Sequence, residues 1–204
     1  MEGPVLPLAA PRAERADAVR NRRHLLATAR TMLAEEGSTE SLTMDGLAER
    51  AGLGKGTVFR RFGTRAGIFR ALLEDDEVAF QERVLAGPPP LGPGAAPLDR
   101  LIAYGQARIA FMLDHHEIAR GTLDGSQPVP AGTESPMSRT HIRVLLGQLH
   151  LEGADLDMLA IQLTAALDGP LLLYMTASDL TERAEIDERM VRAWRDIIQR
   201  ICGA

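Results

Sequence analysis

Residues 42–62 read Leu42-Thr43-Met44-Asp45-Gly46-Leu47-Ala48-Glu49-Arg50-Ala51-Gly52-Leu53-Gly54-Lys55-Gly56-Thr57-Val58-Phe59-Arg60-Arg61-Phe62, and this stretch decides the fold. Thr43 is a good N-cap, so the spacing predicts a helix from Met44 to about Ala51 with Met44, Leu47, Ala48 and Ala51 on one face. Leu42, just before the cap, is placed to pack on Leu47 as a hydrophobic staple. Gly52-Leu53-Gly54 predicts a tight turn, and Lys55 to Phe62 a short helix that Gly63 ends. Two short helices joined by a glycine turn are the elements of a helix-turn-helix.

A recognition helix must be short, rigidly backed and narrow on the face that enters the major groove. Val58 and Phe62, four apart, are expected to face inward, which points Gly56 and Arg60 outward. Gly56 would let the backbone come close to DNA. Thr57 offers a hydroxyl and an amide to phosphate, and Lys55, the only lysine in the chain, adds charge to the helix N-terminus. Arg60 and Arg61 reach base edges or phosphates; spacing leaves open which.

Working outward, Val19, Leu25, Leu26, Ala29, Met32 and Leu33 predict a supporting helix from about Asp17 to Glu36, stopped by Gly37. Thr64 is placed to cap a fourth helix running to about Leu85. Residues 1–16, with Pro4, Pro7 and Pro11, read as a flexible arm. Gly87 to Pro97 is too rich in Pro and Gly for a helix, and Asp124 to Pro136 reads as a second flexible loop. Helical patterns follow at about 98–114, 116–121, 137–151, 155–178 and 181–202. No period-two alternation is sustained, aromatics are only 4% of the chain, and Ala, Leu and Arg abound, so the fold class is all-α with about nine helices. The expected organisation is an arm at 1–16, a three-helix helix-turn-helix domain at 17–63, a connecting helix at 64–86 and a helical regulatory and dimerisation domain at 97–204.

The formal charge of −5 argues against nucleic acid until its distribution is read. Pro11 to Arg70 carries 12 Arg and Lys against 7 Asp and Glu, while Ala71 to Ala204 carries 11 against 20. A basic first third on an acidic remainder is expected where one end meets phosphate. A single cysteine, Cys202, excludes an internal disulfide and a cysteine-based zinc site. With no basic-then-apolar start, a signal peptide is not expected, and a cytoplasmic location is. The apolar stretch from Met158 to Ala177 is interrupted by Gln162, Thr164, Asp168 and Pro170, which favours a buried helix over a membrane span.

Residues 42–62 resemble the signature of the tetracycline-repressor (TetR) family, Leu-Thr-x-x-x-Ile-Ala-x-x-Ala-Gly-Val-Ser-Lys-Gly-Thr-Leu-Tyr-x-x-Phe. Gly63-Thr64-Arg65-Ala66-Gly67-Ile68-Phe69 is similar to the continuation into the next helix, and with the first helix the resemblance covers about 17–75. It implies a dimeric transcriptional regulator that binds a palindromic double-stranded operator, with DNA-facing residues at Thr43, Lys55, Gly56, Thr57, Phe59, Arg60, Arg61 and Arg65. Among these, Lys55 or Arg60 is expected to read bases and Thr57 and Arg65 to hold phosphates. Gly54 replaces the usual Ser cap and Gly46 a usual acidic residue. Phe59 replaces the usual Tyr and so lacks its phosphate-contacting hydroxyl. The resemblance further implies that an effector shifts the fourth helix and alters the spacing of the two recognition helices.

Other features invite chemistry and lose to plainer readings. Gly54-Lys55-Gly56-Thr57 lacks the first glycine and preceding strand of a phosphate loop. Adjacent His115 and His116 diverge by about 100° on a helix and do not make a shared metal face. No catalytic set, metal or cofactor is expected. His24, between Arg23 and Leu25, reads as solvated or near phosphate. Tyr104, Phe111, Met112, His115, Asp168 and Tyr174 are candidates to line an effector cavity, the plainer reading being ordinary core; few cations nearby favour an apolar ligand, neutral or cationic. Ile186, Met190, Trp194, Ile197 and Ile201 form a stripe on the last helix, which with the helix before it is expected to form the homodimer interface. The alternatives are a regulator without a small-molecule effector, an activator, or an enzyme carrying a DNA-targeting module.

Overall fold

The computed structural model describes residues 12–122, 136–173 and 183–203, and among these it is all-α with no strand. The helices are α1 (Arg12–Glu36), α2 (Met44–Arg50), α3 (Lys55–Phe62), α4 (Arg65–Ala86), α5 (Pro97–Asp114), α6 (His116–Gly121), α7 (Pro136–Gly147), α8 (Leu156–Leu173) and α9 (Arg183–Cys202). A 3-10 turn at Thr39–Ser41 precedes α2.

Two helix boundaries differ from expectation, and one turn was not expected. Helix α1 starts at Arg12 rather than Asp17, because Arg12-Ala13-Glu14-Arg15-Ala16 are rich in strong helix formers. Helix α7 stops at Gly147, and His150 (φ 52°) adopts left-handed backbone that a helix continuing to 151 excludes. The Thr39–Ser41 turn, with Ser38 accepting from the Glu40 amide at 3.1 Å, has no hydrophobic period to announce it. Residues 1–11 of the expected arm and residues 124–135 of the expected loop lie outside the described residues.

The chain divides into two compact units, Met1–Ala71 and Leu72–Ala204, with the division inside α4. In the first, Leu25, Leu26, Ala29 and Met32 of α1 are buried together with Leu42, Leu47 and Ala48 around α2, Val58 and Phe62 of α3, and Ala66, Ile68 and Phe69 at the start of α4. Local chemistry sets the corners. Thr43 Oγ1 accepts from the Gly46 amide at 3.0 Å and Thr64 Oγ1 from the Gly67 amide at 3.1 Å, so both expected caps are made. Gly52 (φ 64°) turns the chain between α2 and α3 in a conformation that side chains other than glycine's rarely adopt.

In the second unit, α5 packs on α7, α8 and α9, and α7 packs on α8. Phe80, Leu101, Tyr104, Ile109, Phe111, Met112, Ile142, Leu145, Leu163, Trp194 and Ile198 form its core. Trp194 lies against Gly105, where a Cβ would come within 2.0 Å of its ring, and its Nε1 donates to the Leu101 carbonyl at 3.2 Å. Among the described residues, no helix is long and apolar enough to cross a membrane.

Candidate nucleic-acid interface

Helix α3 turns about 100° per residue, which sorts its eight side chains into three positions. Val58 (fully buried) and Phe62 (nearly so) mark the inner edge. Gly56 and Arg60 lie opposite, with Phe59 and Thr57 on either side of them. Lys55 and Arg61 fall at the two borders, and the polar contacts agree. Arg61 Nη2 donates to the Ala18 carbonyl of α1 at 2.7 Å, and Lys55 Nζ lies 2.7 Å from Asp45 Oδ2 of α2. Arg60 is exposed and has no polar partner among the described residues. The Lys55–Asp45 pair is also exposed and therefore weak, so a phosphate or base can displace it readily.

Gly56 has no internal reason to be glycine. A Cβ placed on it meets nothing within 4 Å, nor does one on Gly54, which caps α3 without a side chain. What glycine supplies here is clearance on the outer face. An open groove of about 430 Å³ runs beside that face between α1 and α3, lined by Asp17, Ala18, Asn21, Leu25, Thr57, Arg60 and Arg61.

Two basic residues are committed differently from expectation. Arg65, expected to hold a phosphate, donates from Nε to the Leu42 carbonyl at 2.7 Å and from Nη2 to the Thr39 carbonyl, with its guanidinium 4.9 Å over the Phe69 ring. It braces the segment leading into α2. His24, expected to be solvated or near phosphate, has Nε2 3.0 Å from the Ala51 carbonyl and ties α1 to the end of α2. Thr43 is exposed and its hydroxyl caps α2. Asp45 is the partner that sequence reading missed: its link to Lys55 crosses the turn, and no local period reports it.

In the second unit, Tyr104, Phe111 and Met112 are buried in one cluster with Phe80, whose ring lies 5.9 Å from Tyr104 and 5.2 Å from Phe111. The Tyr104 hydroxyl donates to Ser138 Oγ at 2.6 Å. His115 stacks on Phe111 at 4.2 Å and points Nε2 to Asp76 at 3.2 Å, while His116 is buried, so the two histidines do diverge. Arg108, 1% exposed, bonds to Glu77 at 2.6 Å and lies over the Phe80 and Phe111 rings. Neither Arg108 nor Glu77 stood out in sequence, because they meet only when α4 and α5 pack. The side chain of Asp168 and all of Tyr174 lie outside the described residues. On α9, Trp194 is core, Ile186, Met190 and Ile201 are half-buried, and Ile197 is exposed.

The first unit is thus a helix-turn-helix DNA-binding module with a basic, glycine-cleared outer face. Residues 25–72 match the family described as bacterial regulatory proteins, tetR family. Three solved structures share the fold. A protein from Rhodococcus sp. assigned to the TetR-family regulators is 17% identical, with 87% of this chain and 97% of that one covered, at a TM-score of 0.56. The TetR-family regulator PfmR from Thermus thermophilus is 18% identical, covering 86% and 97%, at 0.54. A TetR regulator from Rhodococcus sp. RHA1 is 18% identical, covering 93% and 97%, at 0.51. No curated relative matches the chain.

Proposed function

We propose that this protein is a homodimeric, ligand-responsive repressor that binds a palindromic DNA operator through α3. The observation that carries the DNA reading is the outer face of α3, where Arg60 stands exposed beside a glycine that nothing inside the protein requires. Lys55 and Thr57 add a displaceable charge and a hydroxyl on the same short helix. Arg61 and Arg65, already bonded to backbone carbonyls, hold α3 and α2 in position, and this changes their expected roles from contacts to supports.

Dimerisation is supported by the exposed apolar side chains Met158, Ile161 and Ala165, at three- and four-residue spacing on α8, and by Ile197 on α9. Effector control is supported by the gathering of Tyr104, Phe111, Met112 and His115; Asp76 beside His115 favours a neutral or cationic ligand over an anion, while the charge of Glu77 is already met by Arg108. An effector must bind one conformation better than the other to act at all. A regulator without an effector is the second reading, favoured by the aromatic rings already packed on one another and the Tyr104 hydroxyl already bonded to Ser138. Catalysis has no support among these residues.

Selection of duplexes from a random pool by the full-length protein tests the DNA reading: enrichment of an inverted repeat is expected, and no enrichment at low salt contradicts it. Sedimentation at micromolar concentration is expected to show a dimer; monomer alone would remove the palindrome with it.

A further inference from the structure

We infer that Arg100 and His141 form the polar end of the effector site, where they hold the carbonyl oxygen of a neutral ligand; the inference rests on the effector reading above and names the group that the ligand must carry.

Both residues lie in the second unit, on helices that pack together. Arg100 and Tyr104 share a face of α5, four residues apart, and Ser138 and His141 share a face of α7, three apart. Two contacts join these faces. The Tyr104 hydroxyl donates to Ser138 Oγ at 2.6 Å, and the Tyr104 and His141 rings lie 4.9 Å apart. Tyr104 is fully buried, and Ser138 and His141 are only 3% and 7% exposed. In this packed corner two nitrogens are shut off from solvent with no hydrogen-bond partner among the described residues, Arg100 Nε and His141 Nε2. The single proton of the Tyr104 hydroxyl is already given to Ser138, so it does not serve His141. Buried polar groups left unpaired are costly, and two in one corner call for an occupant.

What the occupant supplies follows from counting protons. Arg100 Nε always carries its proton and only donates. His141 is neutral, because burial and the charge of Arg100 hold its pKa down to about 4. With its ring proton on Nε2 it is a second donor. A carbonyl oxygen, with two lone pairs and no proton, meets both. A cationic head would bring donors to donors. An anion is not required either: Arg100 is only half-buried, and an arginine whose head reaches water keeps its charge hydrated. The corner lacks an acceptor rather than a counter-ion. Tyr104 joins it to the aromatic rings of Phe80 and Phe111, which suits a ligand that is apolar apart from its carbonyl.

The test uses acetophenone as the probe on the full-length protein. It is compared with α-methylstyrene, which has the same shape with a methylene in place of the oxygen, and with benzoate. In nitrogen-15-labelled protein the Arg100 Nε–H gives its own resonance, identified by its loss in Arg100→Lys. Acetophenone is expected to shift that resonance and to bind about three- to tenfold more tightly than α-methylstyrene, the effect of a single net hydrogen bond. In His141→Phe and in Arg100→Lys this preference is expected to shrink toward one. The inference is overturned if ketone and hydrocarbon bind alike, or if neither binds, in which case the corner holds only water. It is also overturned if benzoate binds more tightly than acetophenone, or if the preference survives both substitutions. The comparison of probes on the unaltered protein needs no variant, so a folding defect does not blunt it. Acetophenone that binds as expected but leaves affinity for an enriched duplex unchanged would keep the site and remove the effector reading.

Discussion

The two units put their polar groups in opposite places. Every polar or charged side chain buried among the described residues (Glu77, Arg108, His116, Thr122, Ser138 and His141) belongs to the second unit, and none to the first. The first keeps an apolar interior and directs its basic residues to its surface and to its own backbone carbonyls. The second carries a buried ion pair, two buried histidines and a tyrosine–serine hydrogen bond inside its core. The first is built to meet an external polyanion on a rigid support; the second holds polar groups whose energies depend on how tightly its helices close.

The buried pair is where breaking this contrast costs most. Glu77→Ala leaves the guanidinium of Arg108 buried without its carboxylate and is expected to destabilise the second unit by about 3–5 kcal/mol. Glu77→Leu with Arg108→Met is expected to restore most of that loss. Asp45→Ala, which breaks the exposed pair with Lys55, is expected to change stability by less than about 1 kcal/mol. Denaturant unfolding checks all three, with Trp194 as a probe inside the second unit.

His141 gives the second unit a pH dependence. Desolvation by burial, with Arg100's charge adding to it, holds its pKa down to about 4 from an ordinary 6.5. The Tyr104 ring lies tilted against the His141 ring at 4.9 Å, and His141 Nε2 has no hydrogen-bond partner among the described residues. The unfolded chain takes up the proton below 6.5 while the folded chain refuses it until about 4. The contribution is therefore complete above the upper value and lost as pH falls toward the lower, by about 2–3 kcal/mol. A His141→Phe variant whose stability falls just as steeply over that interval would assign the dependence to other groups.

The same substitution in both units sharpens the comparison further. Gly105→Ala drives a Cβ to within 2.0 Å of the Trp194 ring and is expected to destabilise by about 1–3 kcal/mol. Gly56→Ala meets nothing and is expected to stabilise the fold by about 0.5–1 kcal/mol through helix propensity while weakening DNA binding. Equal thermal shifts of the same sign would contradict the reading of both glycines.

What the sequence disclosed follows the same division. Thr43, Gly52 and Thr64 act on groups within a few residues of themselves, so the helix-turn-helix and its caps were legible, as was the inward pair Val58 and Phe62. Arg61, Arg65 and His24 reach carbonyls far away in the chain, and their supporting roles are invisible to spacing. Arg108 and Glu77 present the same difficulty inside the second unit. Tyr104, Phe111 and Met112 were found as apolar residues of one helix, but whether such residues line a cavity or fill a core is decided by packing, which no periodicity encodes.

The central claim is that α3 meets DNA through its outer face, and affinity across a salt series tests it most directly. Unaltered protein, Lys55→Ala and Arg60→Ala are compared on an enriched duplex and on a random one. Arg60→Ala is expected to lose about tenfold or more on the enriched duplex and little on the random one, the behaviour of a base contact. Lys55→Ala is expected to weaken binding and, if it meets phosphate, to lower the salt slope by about one unit on both. Unchanged affinity for both variants at every salt concentration would mean that α3 is not the recognition helix.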